Sequence, residues 1–319
     1  MDHAEVLRRR DELSSKHGAW HDSIPLSNGV YTISERAERE SERFRVRSIL
    51  QSAADALAIP LSEARVLDLG SAEGVFAVEF ALHGAEVLAF EGRAGNVEKI
   101  EFARDALALE RLEVVQQDVR ELSRDQHGEF DVVLCLGVLY HLEAASAVAL
   151  AHQMAEVCRR VAVVDTHIAF KPTFSTTERG NMYSGRIVRE FDPGSTDEDR
   201  LSRVSIGNPE SIWFTRPTLY NLLEDASFTS VLEVHIPRYA KHADRVTLVA
   251  LKGAVQTLAS QRTGNELPHL RWKENERSAP HPNQTTLGEI KRRLAPWTPA
   301  PVKRWVVRRQ ERSQERHRP

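Results

Sequence analysis

The run Val66-Leu67-Asp68-Leu69-Gly70-Ser71-Ala72-Glu73-Gly74 constrains the fold more than any other stretch. A short apolar segment ends in Asp-x-Gly-x-x-x-Gly, and Val75-Phe76-Ala77-Val78-Glu79-Phe80-Ala81 continues with helical character. The pattern is a strand, a tight glycine turn and a helix N-terminus. Glycines let the backbone pass close to a ligand, and a helix start presents unpaired N–H donors. The spacing departs from the dinucleotide fingerprint G-x-G-x-x-G, because Ala72 stands where a second glycine would be. Glu91 follows Gly70 by 21 residues, at the end of Glu86-Val87-Leu88-Ala89-Phe90, where an acid can accept hydrogen bonds from ribose hydroxyls.

From Arg65 onward apolar strands alternate with helical segments. The pattern predicts strands at 65–69, 86–90, 112–117, 130–136 and 159–165, with helices at 74–83, 94–108 and 143–157. It resumes with a helix at 216–226 and strands at 229–236 and 244–251. Such alternation means an α/β fold, a doubly wound, mostly parallel sheet with helices on both faces. Right-handed crossovers put the strand C-termini on one rim, where open sheets of this kind bind ligands.

Upstream, the charge-rich residues 2–16 read as a marginal helix, and residues 20–32 mix aromatics with turn formers, Asn28-Gly29 being a hairpin signal. Ser34 caps a helix running to about Leu57, whose Phe44, Val46, Ile49, Leu50, Ala53 and Leu57 give one buried face. The chain thus divides into an N-terminal helical arm (1–58), an α/β domain (59–254) with an insertion at 166–214, and a linker with a basic amphipathic tail (255–319). The insertion holds Phe170, Phe174, Tyr183, Phe191, Trp213 and Phe214 with Lys171, Arg179, Arg186 and Arg189. A long loop inside a compact domain is usually functional or disordered, and these aromatics favour a lid or substrate wall.

Composition bounds the setting. Hydrophobic residues make up 41% and charged residues 28%, as in an ordinary soluble globular protein. Cys135 and Cys158 sit inside apolar segments and cannot build a disulfide framework, which points to a reducing compartment. No early apolar run resembles a signal peptide and no apolar stretch approaches ~18 residues, so the expected location is cytoplasmic. Leu287–Pro319 carries ten Lys/Arg against three Asp/Glu, a net +7, so the rest of this −3 chain carries −10. An acidic body argues against a broad nucleic-acid surface. The basic tail, with Trp297 and Trp305, suits peripheral contact with an anionic membrane face or a partner, a solvated tail being the plain alternative.

The Asp68–Gly74 turn and Glu91 together resemble motif I and the second-strand acid of class I S-adenosyl-L-methionine (SAM) methyltransferases. The segment Leu136-Gly137-Val138-Leu139-Tyr140-His141 is similar to the wobble-uridine tRNA methyltransferase-like branch, as are Trp20, Ile24, Leu26, Gly29 and Thr32 upstream. The resemblance covers about residues 20–250. It implies a Rossmann-like seven-stranded sheet with its last strand antiparallel. It also implies SAM as cofactor, held by Asp68, Gly70, Ser71, Ala72, Gly74, Glu91, Gly92, Asp118, Val119, Leu136, Gly137 and Tyr140. Asp118 would bond the adenine amino group; a helix cap is the alternative. Branch members that use a carboxylated SAM place an Arg shortly before an aromatic pair. Here Glu210, Ser211 and Ile212 precede Trp213-Phe214, so ordinary SAM is expected.

Methyl transfer to a hydroxyl needs an aligned nucleophile and a proton acceptor. His141 and His167 are the base candidates, with Asp165 beside the latter as a third catalytic candidate. Structural packing is the competing reading for both histidines. Trp20, His21, Tyr183, Arg186 and Trp213 are the expected substrate-binding residues. Asp165 and His167 could supply metal ligands, but no compact ligand motif appears and none is assigned. The expected activity is O-methylation of a small molecule or glycan, lipid-linked ones included. The alternatives are a tRNA wobble-uridine methyltransferase and a non-catalytic SAM-binding scaffold.

Overall fold

The computed structural model describes residues 1–33, 36–192, 204–234 and 244–254, the side chains of 36–42 excepted. The expected linker and tail, 255–319, lie outside the described residues, as does the middle of the insertion. The N-terminal arm holds α1 (His3–His17) and α2 (Arg36–Ala56). The α/β domain then runs β1 (Arg65–Leu69), α3 (Val75–Leu82), β2 (Glu86–Glu91), α4 (Ala94–Leu107), β3 (Leu112–Gln116), the single turn α5 (Arg124–His127), β4 (Phe130–Leu136), α6 (Ala144–Val157) and β5 (Cys158–His167). The insertion gives β6 (Phe174–Glu178), β7 (Asn181–Arg189) and β8 (Glu210–Phe214), and the domain closes with α7 (Arg216–Asp225), β9 (Ser230–Val234) and β10 (Arg245–Leu251).

The large sheet has seven strands in the order β3-β2-β1-β4-β5-β10-β9. Its first five strands are mutually parallel and β10 runs antiparallel to both neighbours. This is the doubly wound, mostly parallel α/β sheet that the alternating pattern predicts. The order reverses between β1 and β4, so their C-terminal ends open a crevice at the switch point.

Side-chain alternation along the central strands sorts the rest of the chain onto two faces. Val66, Val132, Leu134, Val161 and Val163 pack with α3, α4 and the arm residues Val6, Trp20 and Ile24. Leu67, Leu69, Val133, Cys135 and Val164 pack with α6, α7 and the insertion residues Tyr183, Ile212 and Phe214. The arm and the insertion therefore approach the same rim from opposite faces.

Asn28-Gly29 forms the expected reversal: both residues are left-handed, at φ 59 and 74, and Pro25 bridges to Tyr31. Along α2, Val46, Ile49, Leu50, Ala53 and Leu57 are buried as the periodicity predicts, but Phe44 is half exposed. It precedes Val46 by two residues, about 200° round the helix, and faces solvent.

The insertion is more ordered than a loop. β6, β7 and β8 form an antiparallel sheet, with Arg179-Gly180 at φ 51 and 83 closing the first hairpin. Opposed residues of paired strands share a face. Arg186 and Trp213 are directly opposed, as are Val188 and Ser211. Tyr183 points from the other face into the core.

A buried ion pair fastens the arm to the glycine turn. Glu73 accepts from Lys99 Nζ at 2.7 Å and from the amides of His21 and Asp22 at 2.7 and 2.8 Å. Lys99 also donates to the carbonyls of Gly18 and Ala19, both at 3.2 Å, and lies over the Trp20 ring. Removing one partner strands a buried charge, which costs about 3–5 kcal/mol. Lys99→Met should lower the urea-unfolding free energy by about that amount and expose residues 18–22 to proteolysis. A loss below about 1 kcal/mol would show that the pair carries little of the arm's docking.

Candidate functional site

The crevice begins at the turn after β1. Gly70 has φ 60, and a Cβ there would stand 2.6 Å from Val138 Cγ2, so the backbone passes against the loop after β4. Ala72 is also left-handed at φ 51, the conformation that a second glycine would adopt without strain. Glu91, 3% exposed, holds it there: one carboxylate oxygen accepts from Ala72 N at 2.8 Å, the other from Arg93 N at 2.9 Å and Asn96 at 3.3 Å. Burial raises the Glu91 carboxyl above its ordinary range, and these donors act against that rise.

Of the residues expected to hold the cofactor, Gly70, Ala72, Glu91, Gly92, Asp118, Val119 and Gly137 line one cleft. Arg93, Asn96, Arg120, Val138, His141, Leu142 and residues 204–206 complete it. Ser71 stands behind the turn, donating to the Asp68 carbonyl at 2.7 Å. Gly74 starts α3, where a Cβ would meet Ile100 at 2.8 Å. Leu136 packs against the core, and the Tyr140 hydroxyl lies 3.7 Å from the position of a Gly137 Cβ.

Asp118 is both a cap and a cleft residue. It accepts from Arg120 N at 2.9 Å and takes the Arg120 guanidinium at 2.8 and 2.5 Å, bonds that hold its carboxyl below the ordinary range. Arg120 also donates to the Ile206 carbonyl, and Arg93 to that of Val204. These two bonds hold residues 204–206 against the cleft, whose volume is about 180 Å³.

The three catalytic candidates separate clearly. His141 lines the cleft, and its Nδ1 lies 2.8 Å from Glu190, a residue that sequence reasoning missed. Burial pushes Glu190 up, but the His141 bond and charge, with donors from Ser211 Oγ and Ser205 N, hold it below the ordinary carboxylate range. An ionised Glu190 can only accept, so the Nδ1 atom of His141 carries a proton, and in the neutral form of the ring the Nε2 atom keeps a lone pair. His167 instead stacks on Trp213, at 4.5 Å and 17°, with Tyr140 edge-on at 4.6 Å.

Asp165 is engaged structurally, against the expectation of a catalytic role. It is fully buried and accepts from Arg245 Nε at 2.6 Å, Arg45 Nη2 at 3.2 Å and Thr247 Oγ1 at 2.5 Å. Two other expectations also change. Tyr183 is fully buried and donates to Asp225 at 2.9 Å, on the sheet face opposite Trp213, so it supports the core and does not line an acceptor pocket. Trp20 is 8% exposed, donates to the Arg10 carbonyl and packs the arm. His21 is exposed beside it, while Arg186 lies over the Trp213 ring at 5.1 Å.

Arg45 is a second missed residue. Its Nε is buried without a partner among the described residues, and its guanidinium lies over Phe76 at 4.8 Å. Asp68 beside it has a buried, unpartnered Oδ2. Burial pushes this carboxyl up to about 7, with Glu91 pushing the same way and Arg45 opposing. The glycine cradle, the ribose-height acid and two unsatisfied groups at the turn fit a SAM-sized cofactor bearing both an ammonium and a carboxylate.

The comparisons agree with this geometry. Residues 66–160 match the family described as "Methyltransferase domain". The chain is 32% identical over 151 residues, 46% of its length, to a ubiquinone biosynthesis O-methyltransferase of Acinetobacter baylyi. It is 28% identical over 149 residues, again 46% of its length, to the protein of that name from Acinetobacter baumannii. The chain spans 60% of the length of these curated relatives. The N-terminal domain of EvdMO1, solved in the presence of S-adenosylhomocysteine (SAH) and D-fucose, superposes with a TM-score of 0.61 at 26% identity. That superposition covers 79% of this chain and 98% of the other.

The raised Asp68 carboxyl makes a pH prediction. Its folded pKa of about 7 exceeds the ordinary 3.8, so its contribution to stability is complete below about pH 4 and is lost as pH rises through 7. Asp68→Asn should flatten that decline in the denaturation midpoint, and an unchanged slope would show that Asp68 titrates normally. Cleft, fold and kinship agree: residues 66–160 are similar to methyltransferase domains, and the sheet superposes on a solved domain that holds S-adenosylhomocysteine.

Proposed function

We propose that the protein is an O-methyltransferase acting on a hydroxyl of a small molecule or glycan, with His141 as general base. The observation that carries this reading is the 2.8 Å contact between His141 Nδ1 and Glu190 at the edge of the cofactor cleft. The names of the curated relatives, and the sugar present with the solved EvdMO1 domain, support an oxygen acceptor.

SAM supplies a methyl group already activated on a sulfonium, so the chain's own work is alignment and proton removal. The Nε2 atom of His141 accepts the hydroxyl proton as the oxygen bonds to the methyl carbon. Glu190 keeps the imidazole in the tautomer whose Nε2 lone pair is available and balances the imidazolium that results. Tyr140, whose hydroxyl burial pushes further above its ordinary range, stays protonated as a donor beside it. Arg45 and the unpartnered Asp68 Oδ2 would receive the cofactor's carboxylate and ammonium.

Calorimetric titration with SAM tests the cofactor half: saturable binding is expected, with loss in Gly70→Arg, whose side chain would collide with Val138. For the chemistry, His141→Ala should lower turnover by roughly 10²–10⁴-fold with SAM affinity nearly unchanged. Glu190→Gln should lower it in the same direction, and Glu190→Asp should recover part. Full turnover in His141→Ala would remove His141 as the base.

A further inference from the structure

We propose that the acceptor bears an anionic group, carboxylate or phosphoryl, that docks on Arg186 at a distance from the methylated hydroxyl; this rests on the O-methyltransferase reading above. Cross-strand pairing puts Arg186 on the same face of the small sheet as Trp213 and Ser211. Ser211 bonds Glu190 at 2.5 Å, and Glu190 bonds His141, so this face runs from the base to Arg186. The Arg186 guanidinium lies 5.1 Å over the Trp213 ring, Trp213 stacks on His167, and His167 meets Tyr140.

Charge distinguishes Arg186 from its neighbours. Arg45 and Arg245 share Asp165, Arg120 is held by Asp118, and Arg216 by Glu233. Arg186 is exposed, and among the described residues no acid pairs with it. A planar guanidinium held flat on an aromatic ring keeps its forked N–H edge for a carboxylate or phosphoryl group. Stacking also removes part of the ordering cost of binding.

Geometry limits where the anion sits. Arg186 and Glu190 are four residues apart on one strand face, about 13 Å along the chain at ~3.3 Å per residue. A group on Arg186 is therefore remote from the hydroxyl at His141, not vicinal to it. The acceptor spans on the order of 10 Å, and its charge selects the molecule while His141 selects the atom.

The test uses full-length, ¹⁵N-tryptophan-labelled protein saturated with SAH and follows the Trp213 Nε1–H resonance, assigned by its loss in Trp213→Phe. Inorganic phosphate, acetate and D-fucose are titrated separately at constant ionic strength. A saturable shift with phosphate or acetate is expected, and the stronger of the two identifies the anion. Arg186→Gln should raise the apparent Kd at least tenfold, and Arg186→Lys should fall between. No saturable shift, the same Kd in Arg186→Gln, or an equal response to D-fucose would overturn the proposal. Turnover of ¹³C-methyl SAM with a cell lysate separates the two readings. An O-methylated product retained on an anion exchanger supports both. A neutral O-methylated product overturns the anionic acceptor and leaves O-methyl transfer standing, whereas an anionic product methylated elsewhere overturns O-methyl transfer alone.

Discussion

The buried carboxylate of Asp165 ties the active rim together. It sits near the C-terminal end of β5 and takes Arg45 from α2, with Arg245 and Thr247 from β10. A carboxylate without water is costly unless paired and hydrogen-bonded, and these three donors meet that requirement. In meeting it they fix the arm, the central strand and the antiparallel strand at one point. His167 is two residues further along β5, and Gly137 donates its amide to the Asp165 carbonyl at 2.8 Å. Two arginines on one carboxylate leave a net positive charge beside the glycine turn, where Asp68 and Glu91 supply the opposite sign.

The two halves of the site are built differently. The cofactor half is local: turn, acid and cap follow one another within about fifty residues, each at a strand end. Its walls are mostly backbone, held by Glu91 and Asp118. The proposed acceptor half is assembled from distant segments, His141 after β4, Glu190 after β7 and Trp213 in β8. Its chemistry depends on side chains brought together by strand register.

That difference decides what the sequence could reveal. The central strands and helices were legible because apolar periodicity and glycine turns are local signals. The cleft-lining residues Gly70, Ala72, Glu91, Asp118 and Gly137 were legible for the same reason. Glu190 was not: no local pattern marks an acid at a strand end as the partner of a histidine 49 residues earlier. Asp165 looked reactive beside His167 because a sequence shows adjacency and not burial. Tyr183 looked like pocket lining until the pairing of β7 with β8 put it on the opposite face from Trp213. Thr176, Thr177 and Gly180 carry a hairpin signal, but the polar composition of the insertion masks it.

Ala72 shows how the two halves constrain one another. A non-glycine residue at φ 51 costs about 1–2 kcal/mol. Glu91 offsets that strain by accepting from the Ala72 amide, which spends one of its carboxylate oxygens on the turn. Its other oxygen takes Arg93 N and Asn96, so the acid that would meet the ribose also sets the start of α4. Arg93 in turn holds the Val204 carbonyl, and the next residue, Ser205, donates its amide to Glu190. A continuous run of hydrogen bonds thus leads from the Ala72 turn to the carboxylate that bonds His141. Strain at Ala72 and the orientation of His141 are therefore parts of one connected structure.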